Sequence, residues 1–301
     1  MNYSFSTSWN STRHKNGFDL IEEIKAIGFD TVELNFALTQ NVVDDIATLV
    51  RGSKIKVSSI HNICPLPKDV EPKDASPDYY SLASWDKEER GIAVGVTKNT
   101  IDYAGRLGAK AVILHTGRVP IKDKTRRLAS LINDKEQFGL LKAEMIKERE
   151  ENKGGCLDNV VESLKELTGY AKKAGIHLGV ENRYYYREIP LAEELDLIFK
   201  NFKAGDLYYW HDTGHAEVFE RLGFVRHKDL LDKYSNRLIG IHLHDIIGVI
   251  EDHRPPGMGT FDFRMLKPYI KDDTIKVVEA HQPASAEEIR QSVKYLEKIF
   301  S

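Results

Sequence analysis

The chain has 301 residues, 41% of them hydrophobic and 30% charged, with a formal net charge of −3. That balance is ordinary for a globular protein and gives no general attraction to nucleic acid, whose binders carry a basic face. Cys64 and Cys156 stand in no CxxC or CxH spacing, which argues against a disulfide scaffold or a thiolate zinc site and fits a reducing compartment.

The opening MNYSFSTSW has no basic, apolar leader, and no run of about 18 apolar residues occurs. A cytoplasmic location without a membrane span is the expectation. Short apolar runs then alternate with longer amphipathic stretches, the pattern of repeated βαβ units. Eight strands are predicted, at residues 3–8, 31–35, 54–60, 111–114, 177–180, 207–210, 238–241 and 275–278. Most are rich in Val, Ile and Leu, as strands buried on both faces should be. Helices are predicted over 17–27, 85–107, 158–174, 192–202 and 285–300, with Gly28, Gly108, Gly175 and Gly205 as stops. The last opens with SAEE, an N-cap followed by Glu in the first turn.

Two segments exceed simple connections. Residues 62–84 hold four of the ten prolines and read as an extended loop; residues 118–155 are highly charged and read as a helical insertion ending in a Gly-Gly break. The expected architecture is therefore α/β: a single (β/α)₈ TIM barrel domain over residues 1–301, with extended βα loops after strands 3 and 4 on the functional face.

Metal-competent residues stand at the ends of six successive predicted strands. VSSIH ends in His61, AVILH in His115, HLGVE in Glu181, and LYYWHD in Asp212, with His215 three residues on. LIGIHLHD supplies His242, His244 and Asp245, and IKVVE ends in Glu279. Any one of these has an ordinary explanation as a hydrogen-bonded or ion-paired residue. Six in order do not, because parallel barrel strands place all their C-terminal ends on one face. Imidazoles and carboxylates gathered there suit Zn²⁺, Mn²⁺ or Co²⁺, and the carboxylates would repel one another without a cation. Strand alternation turns His211 away from its neighbour Asp212, so His211 is read as structural, as are His14, His177 and His227. His244 falls two residues beyond His242 and is expected on the same face. The loop EDHRPPGMGTFDF, Glu251 to Phe263, combines rigid prolines with permissive glycines and would hold His253 and Glu251 over the pocket.

Taken together, the ExN/R run after the fifth strand, WHDTGH, HLHD, DHRPPGMGTFDF and the terminal VVE resemble the xylose isomerase-like TIM barrels, as does GFDTVELNF near the start. That superfamily contains sugar and sugar-phosphate isomerases and epimerases together with nucleases of the endonuclease IV type. In its isomerase branch one metal is held by two glutamates, an aspartate and a histidine. The resemblance implies Glu181, Asp212, His242 and Glu279 for that set, with Glu181 and Glu279 doubling as catalytic acid and base. His215 would then contact substrate; Arg183 and His244 are further substrate-binding candidates, and Arg183 with Tyr184–Tyr186 reads equally as a sugar-stacking, phosphate-contacting wall or as aromatics packed between loops and helices. The endonuclease IV type uses three zinc ions, and its further ligands fall on His61, His115, His215, Glu251 and His253, with Glu251 where aspartate is usual. The resemblance thus implies one to three divalent ions, Zn or Mn.

The expected activity is a metal-dependent isomerase or epimerase of a small sugar, keto-sugar or sugar phosphate, working by proton transfer at carbon. The alternative is a multinuclear zinc phosphoesterase of the apurinic-site nuclease type. A small carbohydrate is the expected partner. Nucleic acid and membrane are not expected, and a homo-oligomer is compatible with the sequence.

Overall fold

A computed structural model describes residues 3–301. Its strands in chain order are β1 (Ser4–Ser6), β2 (Thr31–Leu34), β3 (Lys56–His61), β4 (Ala111–Leu114), β5 (His177–Glu181), β6 (Tyr208–Asp212), β7 (Leu238–Leu243), β8 (Asp245–Ile247), β9 (Glu251–Arg254) and β10 (Ile275–Val278). Eight of them close into a parallel barrel in the order β1-β10-β7-β6-β5-β4-β3-β2, and β8 pairs antiparallel with β9 as a separate hairpin. All eight predicted strands are present.

Alternation divides each barrel strand between two layers. Outward residues such as Val112, Leu178 and Tyr209 meet the surrounding helices, while Ala111, Ile113, Trp210, Ile275 and Val277 fill the lumen. Trp210 plugs that lumen because β7 carries Gly240 beside it: a Cβ there would lie 2.1 Å from the indole ring.

The helices are α1 (Gly17–Ala26), α2 (Gln40–Arg51), α3 (Lys87–Leu107), α4 (Thr125–Ser130), α5 (Lys135–Asn152), α6 (Cys156–Ala174), α7 (Ala192–Phe199), α8 (Thr213–Arg221), α9 (His227–Tyr234) and α10 (Ala286–Phe300). Gly108 and Gly175 end α3 and α6 in left-handed backbone, and Ser285 with Glu288 builds the capping box of α10. The sequence reading did not name α2, although Val42, Val43, Ile46 and Ala47 are its buried stripe.

The charged segment after β4 is helical as expected, forming α4 and α5 before the break at Gly155. Its α5 contributes Arg149, fully buried, which donates to the carbonyls of Arg187 and Glu188 and pairs with Glu194 at 2.7 Å. The insertion is thereby locked to the loop after β5. The proline-rich segment after β3 is loop apart from one 3₁₀ turn at Pro72–Asp74. Among the described residues no helix is long and apolar enough to cross a membrane.

Candidate metal centre

Strands β3, β5 and β6 each run to their polar terminal residue, so His61, Glu181 and Asp212 occupy the last pleat rather than a free loop. His115 and Glu279 follow β4 and β10 directly. The barrel geometry turns these side chains towards His242 of β7. Its Nδ1 lies 2.7 Å from Glu181 Oε1, 3.0 Å from Glu279 Oε2 and 3.5 Å from Asp212 Oδ2. Its Nε2 is 2.8 Å from Glu33 Oε1, and Ser59 donates to the other oxygen of Glu33 at 2.7 Å.

Four buried carboxylates thus surround one imidazole. Burial would lower the His242 pKa, but Glu279, Glu33 and Glu181 outweigh it and hold the ring well above its ordinary value. Burial would raise the carboxyls of Glu181 and Asp212, and the facing histidines overturn that, holding both well below the usual carboxylate range. Positive charge is what this locus demands. A divalent ion fits: Glu33 orients His242 through Nε2–H and leaves Nδ1 to converge with three carboxylate oxygens, the carboxylate–histidine–metal arrangement.

Each ligand candidate is braced from behind. Asp212 caps α8 by accepting the His215 N–H at 2.8 Å, and His244 Nε2 lies 2.9 Å from its carboxylate. Glu279 Oε1 accepts from Ser6 and Ser8 at 3.4 and 3.3 Å, which leaves Oε2 towards the centre. Glu181 Oε2 is taken by His115 at 2.7 Å and Arg183 at 3.0 Å, which leaves Oε1. Asn182 accepts at its carbonyl from His215 Nδ1, so the Nε2 lone pair of His215 faces the cavity.

Two further donor groups flank this core: His61, His115 and Glu181 on one side, and His215, Asp252 and His253 on the other. The second corrects the sequence reading at Glu251. Strict alternation along β9 would put Glu251 and His253 on one side, but His253 has a φ of +55°. That left-handed turn breaks the alternation. Asp252 and His253 both face inward, 3.1 Å apart, while Glu251 is exposed and pairs with Arg254 at 3.0 Å. The loop beyond is held by Asp245, whose carboxylate accepts from the N–H groups of Gly257, Gly259 and Phe261.

Of two residues expected at the substrate, His244 lies outside the cavity, whereas Arg183 lines it but is already engaged by carboxylates. His244 is fully buried behind Asp212 and engages both ring nitrogens, the second accepting from the His253 N–H. Arg183 lies among Glu181, Asp78 and Glu188, all within 3.4 Å. Of the tyrosine run, Tyr184 and Tyr185 line the cavity, whereas Tyr186 turns away to stack on Phe224.

The cavity above the core measures about 540 Å³ and is walled by polar groups including Ser8, Ser11, Asn35 and Asp78. Glu33, Asp78, Asp252 and His281 were not singled out from sequence. Glu33 carried a signal, a carboxylate between Val32 and Leu34 in a strand otherwise buried on both faces.

On the outer side of β6, His211 and His227 are structural, as expected. His211 contacts the Tyr209 hydroxyl and His227 Nε2, each at 2.8 Å, and His227 Nδ1 meets Glu217 at 2.8 Å. Glu217 is in turn paired with Arg221 at 3.0 Å.

The closed parallel barrel of eight strands alternating with helices defines a (β/α)₈ TIM barrel, crowned here by imidazoles and carboxylates. The sequence profile described as the xylose isomerase-like TIM barrel matches residues 21–299, and the chain belongs to that family. The uncharacterized protein y4fM of Sinorhizobium fredii is 23% identical over 277 residues, covering 85% of this chain and 79% of its own length. Among solved structures, a D-tagatose 3-epimerase-like protein superposes with a TM-score of 0.70 at 19% identity, covering 99% of this chain and 97% of its own. The IolI protein with a bound zinc atom gives 0.68 at 15% identity, covering 100% and 98%. At such identities the structural likenesses show the fold.

Proposed function

We propose that the protein is a divalent-metal-dependent isomerase or epimerase of a small sugar, keto-sugar or sugar phosphate, acting by proton transfer at carbon. The observation that carries this reading is the pair Glu181 and Glu279. They approach one nitrogen of His242 from β5 and β10, with Asp212 and His242 on the strands between them. Glu181, Asp212, His242 and Glu279 would hold the ion, which when bound supplies Lewis-acid stabilisation of charge developing on substrate oxygens. One nitrogen and three oxygens suit Mn²⁺ or Zn²⁺.

The residues divide the remaining work. Each glutamate has one oxygen anchored and one directed inward, so one, as the carboxylate, would take a proton from carbon and keep it, while the other, as the carboxylic acid, would give its own proton to the opposite face of that carbon. His215 presents a neutral Nε2 to a substrate hydroxyl; burial lowers its pKa. Serine and asparagine groups on the walls suit a polyol. Likeness to the epimerase-like protein supports the same class.

A second reading, a multinuclear zinc phosphoesterase, is favoured by the two flanking donor groups. Against it, Arg183 already neutralises Glu181 Oε2, the oxygen that would bridge the core to His61 and His115. Two measurements decide. Solvent deuterium appearing at carbon in a recovered sugar, with one metal ion per chain, supports the isomerase. Three zinc ions per chain, with phosphodiester cleavage and no deuterium exchange in any sugar, would overturn it.

A further inference from the structure

The cavity over the metal centre does not end at its walls. A second cavity of about 460 Å³ lies behind the β8–β9 hairpin and shares Arg126, Asp252, His253 and His281 with the first, so these residues form a neck between two lobes. At that neck Arg126 of α4 sits with its guanidinium carbon 5.5 Å from the Tyr184 ring centre and 6.0 Å from that of Tyr185. Aromatic faces hold a guanidinium in place without neutralising it.

The other arginines of the two lobes are spent. Arg183 is shared by three carboxylates and Arg254 is paired with Glu251. Among the described residues no carboxylate oxygen lies within 4.0 Å of the Arg126 guanidinium. The nearby acid at the neck, Asp252, is engaged by His253 at 3.1 Å and faces His215 at 3.9 Å. Arg126 is hydrogen-bonded to Tyr185 and feels the charge of Asp252, but no carboxylate pairs with it directly, so its positive charge is held on an aromatic shelf without a salt-bridge partner.

We infer that the substrate carries an anionic group, a phosphate ester or a carboxylate, which seats on Arg126 at the neck while the reacting carbons lie over the metal centre. This rests on the isomerase reading for the nature of the sugar, and it narrows that reading to anionic sugars. A planar guanidinium pairs bidentately with either anion, and the second lobe leaves room for a tetrahedral group and its water. The phosphate-contacting role that the sequence suggested for Arg183 passes to Arg126.

Calorimetric titration of the purified, metal-containing protein tests this with three matched compounds: a neutral ketose, its terminal phosphate ester, and its terminal carboxylate. One of the anionic forms is expected to bind about tenfold or more tightly than the neutral ketose. R126Q should abolish that advantage, R126K should keep part of it, and affinity for the neutral ketose should not change. Whichever form loses affinity in R126Q identifies the anion. Equal affinities across the set, an advantage that survives R126Q, or no binding by any of the three overturns the inference. Failure of the isomerase reading shows differently: an Arg126-dependent preference for the anion without deuterium exchange leaves this site standing and removes that reaction. Exchange in the neutral ketose alone does the reverse.

Discussion

Two clusters of buried imidazoles and carboxylates lie back to back across β6, and they differ in what they leave unsatisfied. On the outer side, Tyr209, His211, His227 and Glu217 form a chain in which each imidazole nitrogen has a partner at 2.8 Å. One carboxylate there is matched by one guanidinium, Arg221. On the inner side, four carboxylates face His242, and three of them crowd a single nitrogen. The outer cluster is closed and neutral; the inner one is open to a cavity and short of positive charge. Residue type does not separate a structural histidine from a ligand. Hydrogen-bond closure and charge balance do.

The largest expected effect breaks the inner cluster. E279Q removes a ligand and a proton carrier together, so deuterium exchange should fall by about 10²- to 10⁴-fold, measured by mass spectrometry of the recovered sugar. Next, E33Q keeps every ligand but weakens the acceptor that orients His242. Metal affinity should drop by about 10- to 100-fold in a chelator competition titration. An unchanged affinity would mean that Glu33 only fills the lumen.

The outer cluster should respond in stability alone. H227L takes the partner from His211 Nε2 and from one oxygen of Glu217, costing about 1–3 kcal/mol in urea unfolding, with metal content unchanged. A pH series extends the contrast to the hairpin. Burial would lower the His253 pKa, but Asp252 outweighs it and raises the value to about 9. The raised value means that the stabilisation is complete below the ordinary value of about 6.5 and fades as pH climbs through about 9. In chelator-treated protein the unfolding free energy should decline across that interval, and H253Q should flatten the decline; parallel curves would remove the claim. The smallest effect belongs to E251Q, within about 0.5 kcal/mol and without consequence for metal, because that side chain faces solvent.

The fold was legible because barrel strands buried on both faces are short apolar runs, and eight of them could be counted. The convergence of Glu181, Asp212, His242 and Glu279 into one candidate site was legible because strand ends share a face, and each of the four closes or nearly closes an apolar run. Glu33 escaped because it stands inside a strand, where a single carboxylate gives no periodic signal. The choice between Glu251 and Asp252 depended on one backbone angle, the positive φ of His253, which no residue pattern announces. Asp78 comes from a proline-rich loop whose path is set by tertiary contacts, and its proximity to His115 and Arg183 has no local cause.

Arg149 gives the insertion after β4 a further meaning. Because that one buried cation fastens α5 to the carbonyls after β5, the insertion that also bears Arg126 is anchored from outside the strands that carry the candidate ligands. With the anion seated on Arg126 as inferred above, recognition of the substrate and the chemistry done on it would rest on different pieces of chain.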